Sequence, residues 1–318
     1  MVTAADATVP SNFLEAEGLY KAYSGRPVLQ NFGLRIRAGE CYVLVGPNGA
    51  GKSTCIRGIQ GITPLDGGEI RIAGRPLQSL PHGGRHILGV VPQEDNLDPD
   101  FSVAENLWVY GRYFSLPRSS IRRRTAELLE FMLLSDYAQK PIGALSGGMK
   151  RRLTIARALI HEPRLILLDE PSTGLDPQAR HLIWQKLREL KRQGVTLLLT
   201  THYMDEAERL ADRVGIIDHG RILDEAPPAE LIARHIPPMV LELRRLDGGR
   251  PDPEDWYRGR VAAGERVGDT LLLYGEDLGA VQRHYAQRDD LRLLLRTANL
   301  EDVFLRLTGR DLREGDRG

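Results

Sequence analysis

One stretch constrains this chain more than any other: Gly46-Pro47-Asn48-Gly49-Ala50-Gly51-Lys52-Ser53-Thr54. It follows the apolar run Cys41 to Val45 and precedes Ile56 and Ile59, whose spacing fits a helix. Buried strand, glycine-rich loop and helix, in that order, make a phosphate loop. The glycines let backbone N–H groups close around phosphate oxygens, and the helix N-terminus adds positive potential. In that pattern Lys52 contacts the β- and γ-phosphates, and the Ser53 hydroxyl ligates magnesium. The nine residues together form the expected nucleotide-binding loop.

Two further segments carry chemistry. Leu165 to Leu168 reads as a buried strand that ends in Asp169 and Glu170. A carboxylate delivered to that strand end can hold magnesium opposite the phosphate loop, and Glu170 is placed to take a proton from an attacking water. Leu145-Ser146-Gly147-Gly148-Met149 precedes a helix that opens with three bases, Lys150 to Arg152. A hydroxyl and unobstructed amides at a helix start offer a second anion-binding site. The three bases read as a solvated face.

The rest of the chain organises around these segments. Turn signals separate short apolar stretches from Phe13 to Val45, which suggests strands. Ile121, Leu128, Leu129 and Met132 form one helical stripe within a helical insert that begins near residue 94. Strand character returns at Leu165 to Leu168 and Val195 to Thr200. Asp176, Pro177 and Gly194 mark the cap, first position and stop of the helix between them. This alternation predicts a mainly parallel sheet covered by helices. Pro227-Pro228 and Pro237-Pro238 bracket a linker. Beyond it, strands at Met239 to Leu246, Thr270 to Tyr274 and Leu291 to Leu295, a helical stretch near Leu278 to Ala286, and a closing helix from Asn299 to Gly309 suggest a small α/β domain. The expected division is a loose tail at 1–12, a nucleotide domain at 13–235 with a helical subdomain at about 94–160, and an accessory domain at 236–318.

Composition excludes several classes. Forty-three basic residues balance 43 acidic ones among 318, so no dominant nucleic-acid footprint exists. The apolar fraction of 42% is that of a globular chain. No apolar run exceeds five residues, against the roughly 20 that a membrane-spanning helix needs. The first 12 residues carry no basic residue and no apolar core, unlike a secretion signal. Two cysteines, Cys41 and Cys55, fit a reducing compartment.

Taken together, the phosphate loop, the Ser-Gly-Gly-Met signature, the Asp169-Glu170 strand end and His202 some 30 residues later resemble the ATP-binding-cassette ATPases. The likeness covers about residues 13–235. It implies an α/β phosphate-loop domain with a mixed sheet and a helical subdomain, an active ATPase, and ATP and Mg2+ as ligands. It also assigns roles to matching positions. Tyr23, in Lys21-Ala-Tyr-Ser-Gly, would stack on adenine, with Tyr20 a substitute. Gln93, in Val91-Pro-Gln, matches the loop that contacts magnesium or water and signals to a membrane subunit. Ser172-Thr-Gly-Leu-Asp176 resembles the loop that crosses a dimer interface, and His202 the switch histidine at the γ-phosphate. In the family, Ser146, Gly147 and Gly148 of one copy face the phosphate loop of another, so the expected partner is a second copy, head to tail.

Asp95-Asn-Leu-Asp, Glu105-Asn-Leu, Gly111-Arg-Tyr-Phe, Ala179 to Trp184 and Asn299 to Arg310 carry a finer resemblance, to nodulation-factor exporter ATPases and their drug-resistance relatives. That likeness implies a subunit of an ABC-2 type exporter, working with a separate integral-membrane permease at the cytoplasmic face of the bacterial inner membrane. The cargo would be a lipo-oligosaccharide or a drug, with no nucleic-acid partner. The rival class is a soluble cassette protein of translation or DNA repair. Those generally carry two cassettes or inserted cysteine clusters, and this chain shows neither.

Overall fold

A computed structural model describes residues 12–80, 86–249, 251 and 255–309. The expected tail at 1–12, apart from Asn12, lies outside them, as does Arg310 at the end of the C-terminal motif. The chain divides into two units, Met1–Glu225 and Ala226–Gly318.

The first unit opens with strands β1 (Leu14–Tyr23) and β2 (Arg26–Ile36), joined by a tight turn at Ser24 and Gly25. They belong to an antiparallel sheet ordered β2-β1-β4-β5, with β4 at Gly67–Ile72 and β5 at Arg75–Pro76. Leu14 and Ala16 alternate inward along β1, and a register shift then turns Leu19 inward as well. Gly18, at φ +62°, supplies the backbone freedom for that bulge. This sheet stands beside the mainly parallel one that the alternation predicts; it holds the strands expected after Phe13, together with β4 and β5, which the sequence pattern did not show. Gly67-Gly-Glu in β4 hid the pattern, because glycine and charge mask the alternation of an edge-side strand.

The second sheet matches the expected parallel character. Its order is β10-β9-β3-β8-β7-β6, from β3 (Cys41–Val45), β6 (Leu88–Val91), β7 (Leu165–Asp169), β8 (Thr196–Thr201), β9 (Arg213–Asp218) and β10 (Arg221–Ala226). The pairs β3/β8, β3/β9, β6/β7 and β7/β8 are parallel. Every residue of β3, β7 and β8 is buried, and apolar runs fill β3, Leu165 to Leu168 of β7 and Leu197 to Leu199 of β8. Parallel direction sends the C-terminal ends of β3, β7 and β8 to one edge, where α/β sheets bind ligands. The loops at 46–51, 170–176 and 202–203 therefore share that edge.

Helices α1 (Lys52–Ile59), α5 (Pro177–Arg192) and α6 (Met204–Leu210) connect the strands. Between β6 and β7 lies the helical insert: α2 (Val103–Tyr113), α3 (Arg118–Phe131) and α4 (Gly147–Leu159). Ser102 and Glu105 close α2 with a reciprocal capping box. The stripe Ile121, Leu128, Leu129 and Met132 is buried.

The second unit contains α7 (Pro228–His235), β11 (Met239–Arg245), β12 (Ala263–Val267), β13 (Thr270–Gly275), α8 (Gly279–Tyr285), β14 (Leu291–Thr297) and α9 (Leu300–Thr308). Its antiparallel sheet runs β12-β13-β11-β14. Leu241, Leu243, Leu271 and Leu273 pack with Leu278, Val281 and Tyr285 of the α8 segment. Strand β12 went unread in the sequence because Ala-Gly-Glu-Arg-Val carries little apolar signal at a sheet edge. Asn299 and Asp302 cap α9 reciprocally, and Gly309 ends it at φ +65°. Arg296 then ties Asp302, which is buried, to Glu242 at 2.5 Å.

Candidate functional site

At its two ends the loop after β3 leaves no room for a side chain. A Cβ at Gly46 would lie 2.2 Å from the Ile217 carbonyl oxygen. Gly51 sits at φ +107°, and a Cβ there would meet the Val28 carbonyl at 2.7 Å. At Gly46 and Gly51 the backbone therefore approaches its neighbours as only glycine permits. Lys52 opens α1 with its side chain folded back and buried, its ammonium donating to the carbonyls of Gly46 (2.7 Å) and Pro47 (3.0 Å).

Strand β7 brings the carboxylates to this loop. The Ser53 hydroxyl donates to Asp169 Oδ1 at 3.1 Å, and the Thr200 hydroxyl of β8 donates to the same oxygen at 2.5 Å. Glu170 Oε1 lies 3.6 Å from Lys52 Nζ. Its other oxygen accepts from the Thr173 hydroxyl at 3.1 Å. His202 Nδ1 stands 3.2 Å from Glu170 Oε2, close in distance but off hydrogen-bond alignment. Lys52, Ser53, Asp169, Glu170 and His202 are thus one cluster at the strand ends.

Its electrostatics are those of a partly desolvated ion pair. Burial pulls the Lys52 ammonium below its ordinary value, while Glu170 and Asp169 pull it back. Burial disfavours the Glu170 carboxylate, yet the His202 ring, Lys52 and Thr173 outweigh it, so Glu170 ionises below the usual carboxylate range. Glu170 also holds φ +48°, in the left-handed region. Its amide donates to the Thr200 carbonyl at 3.0 Å, which helps impose that conformation. An ionised carboxylate beside a lysine, a histidine and two hydroxyls can orient a phosphate ester and accept a proton from water.

The remaining expected residues lie outside these contacts. Ser146 caps α4 by accepting from the Met149 amide at 3.3 Å, and both Ser146 and Gly147 are exposed. Gly148 is buried, and a Cβ there would meet Ala179 Cβ at 2.7 Å. Asp176 is exposed and caps α5 through the Ala179 amide at 2.9 Å. Gln93 is exposed in the loop after β6. Tyr23 is 45% exposed, a large aromatic surface left to solvent, with Lys21 Nζ 5.4 Å from its ring centre. Thr54, Asn48 and Gly49 complete the loop, with Asn48 and Gly49 exposed.

Three residues of the site were not anticipated. Thr200 and Thr173 hold the two carboxylates, and the only sequence signal for either is its nearness to His202 or Glu170. Arg151 corrects the reading of Lys150 to Arg152 as a solvated face: it is 4% exposed and donates to five backbone carbonyls. Arg152, too, donates to the Met132 and Leu133 carbonyls.

Comparison with known proteins identifies the family. The family "ABC transporter" matches residues 29–173, and "Nodulation factor export protein NodI, C-terminal domain" matches 254–309. Similar curated relatives are each named "Nod factor export ATP-binding protein I". The one from Ralstonia nicotianae is 48% identical over 95% of both chains, and that from Paraburkholderia xenovorans 47% over 96% of this chain and all of its own. Among solved structures, cbiO1 from Clostridium perfringens, part of the ABC transporter complex cbiONQ, superposes with a TM-score of 0.65 at 31% identity, covering 70% of this chain and 91% of its own. A dimeric ATP-binding cassette bound to ADP and Pi superposes at 0.62 and 28% identity, covering 67% and 98%. Among the described residues, no helix is long and apolar enough to cross a membrane.

Proposed function

We infer the role of this chain from one premise: it belongs to the ATP-binding proteins of ABC transporters, ATPases that hydrolyse ATP to drive transport. Within that family we read it as the ATPase subunit of an ABC-2 type exporter, bound to a separate permease at the cytoplasmic face of the inner membrane. Full-length likeness to Nod factor export proteins supports a lipo-oligosaccharide cargo. The observation that carries the reading is the convergence of Lys52, Ser53, Asp169, Glu170 and His202 at one strand edge.

In this reading the amides of residues 46–51 and the Lys52 ammonium bind the β- and γ-phosphates, and Tyr23 stacks on adenine. The Ser53 hydroxyl and the Asp169 carboxylate are hard oxygen donors 3.1 Å apart, the chemistry that suits magnesium, with Gln93 completing the set. Bound magnesium would neutralise charge on the phosphates. Glu170 accepts the proton of the attacking water, and His202 holds that water and the γ-phosphate in line.

Ser146, Gly147 and Asp176 are exposed and turned to their own helix starts, which suits contact with a second copy. Two chains then enclose two nucleotides head to tail, and each supplies the signature residues to the other. ATP favours closure, and hydrolysis with release favours opening.

The test is co-purification from membranes. The chain should be recovered with a polytopic permease, and the complex should hydrolyse ATP. Recovery with ribosomes or DNA and without membrane protein would overturn the transport reading in favour of a soluble cassette.

A further inference from the structure

Arg151 lies on α4, five residues past the capping Ser146, and its guanidinium is almost wholly buried. On one side it donates to the carbonyls of Asp169 (3.0 Å), Glu170 (3.1 Å) and Pro171 (2.8 Å). On the other it donates to the carbonyls of Pro92 (2.5 Å) and Gln93 (3.3 Å), with Asp95 Oδ1 at 3.5 Å. The ladder between β6 and β7 closes at the pair Val91 and Leu168. Past that pair, the planar fork of Arg151 joins the two loops instead. Only a guanidinium has enough donors in fixed directions to do so.

The bonded carbonyls flank a strained residue. Glu170 holds φ +48°, a conformation that persists only where its surroundings impose it. Fixing the carbonyls of residues 169, 170 and 171 fixes the peptide planes on both sides of the Glu170 Cα, and so the direction in which its carboxylate leaves the backbone.

We propose that Arg151 is a positioning residue for hydrolysis, holding Glu170 in place and making that placement depend on the loop that carries Gln93. The proposal rests on the reading of Glu170 as the proton acceptor. A shift of residues 92–95, on the loop that the family resemblance assigns to communication with the membrane subunit, would reach Glu170 through a single side chain. Arg151 touches neither phosphate nor water in this scheme; it acts through Glu170.

Three variants test it: Arg151→Lys, Asp95→Ala and Glu170→Gln, each assayed as turnover per nucleotide-bound site. Arg151→Lys keeps the charge and loses the fork. Its turnover per bound site should fall about tenfold or more, with the KM for ATP within about twofold of the parent. Asp95→Ala loosens only the loop end, and its turnover should fall in the same direction by a smaller factor. Added to Glu170→Gln, the lysine substitution should lower the residual rate no further, because the group it positions is gone. A purely structural role predicts otherwise: fewer folded sites, but parental turnover at each. That result overturns the proposal, as does an equal fold-loss in the parental and Glu170→Gln backgrounds. If Arg151→Lys folds poorly, an unchanged rate in Asp95→Ala overturns it. Near-normal phosphate release by Glu170→Gln alone would instead remove Glu170 as proton acceptor, and the proposal with it.

Discussion

At the scale of single residues, the site depends on buried polar groups that hold one another. Glu170 stays ionised although largely buried because His202, Lys52 and Thr173 surround it. His161 is the contrasting case. Its ring stacks on Phe114 at 3.7 Å, and Nε2 lies 2.9 Å from the Leu88 carbonyl, while Nδ1 is buried without a hydrogen-bond partner among the described residues. Burial pushes its pKa from 6.5 to about 4, so the folded ring is neutral. As pH falls below 6.5, the unfolded chain takes up a proton that the fold refuses. Stability therefore declines between pH 6.5 and 4, by up to about 3 kcal/mol. His161→Phe keeps the stack and removes the titration. Melting temperature measured across that range should fall less steeply for the variant than for the parent; parallel curves would mean that the ring does not titrate as its burial implies.

At the scale of elements, each helix start does two jobs. Ser146 caps α4 while its exposed position suits a partner's phosphate, and Asp176 caps α5 at the other candidate interface loop. Ser146→Arg should cost about 1 kcal/mol in lost capping and place a bulky cation where a second copy would dock. We expect hydrolysis to stop while nucleotide titration of the isolated chain shows nearly parental affinity. Lost affinity would mean that the signature serves its own chain's site or fold. Elements with local rules were legible in sequence: the phosphate loop, the buried runs of β3 and β7, and the capped ends of α5 and α9. What escaped depended on distant partners. Strands β4 and β12 take their place from neighbours rather than from their own apolar pattern. Arg151 looks like a surface base until the carbonyls of two separate loops are known to meet it. Thr200 is an ordinary hydroxyl in a sequence and becomes a carboxylate support only through the β7/β8 pairing, whereas Thr173 reaches Glu170 locally, through the turn that follows β7.

At the scale of the molecule, one chain holds the loop, the strand-end carboxylates and the histidine together, but carries Ser146 and Asp176 outward. In the proposed reading that arrangement is half of a reaction centre, and the central claim is that a second copy completes it. The most direct measurement is the mass in solution of Glu170→Gln, by light scattering with and without magnesium and ATP. The account predicts the 35.5 kDa chain mass without nucleotide and twice that mass with it. A mass unmoved by ATP, together with a parental specific activity that does not depend on protein concentration, would contradict it.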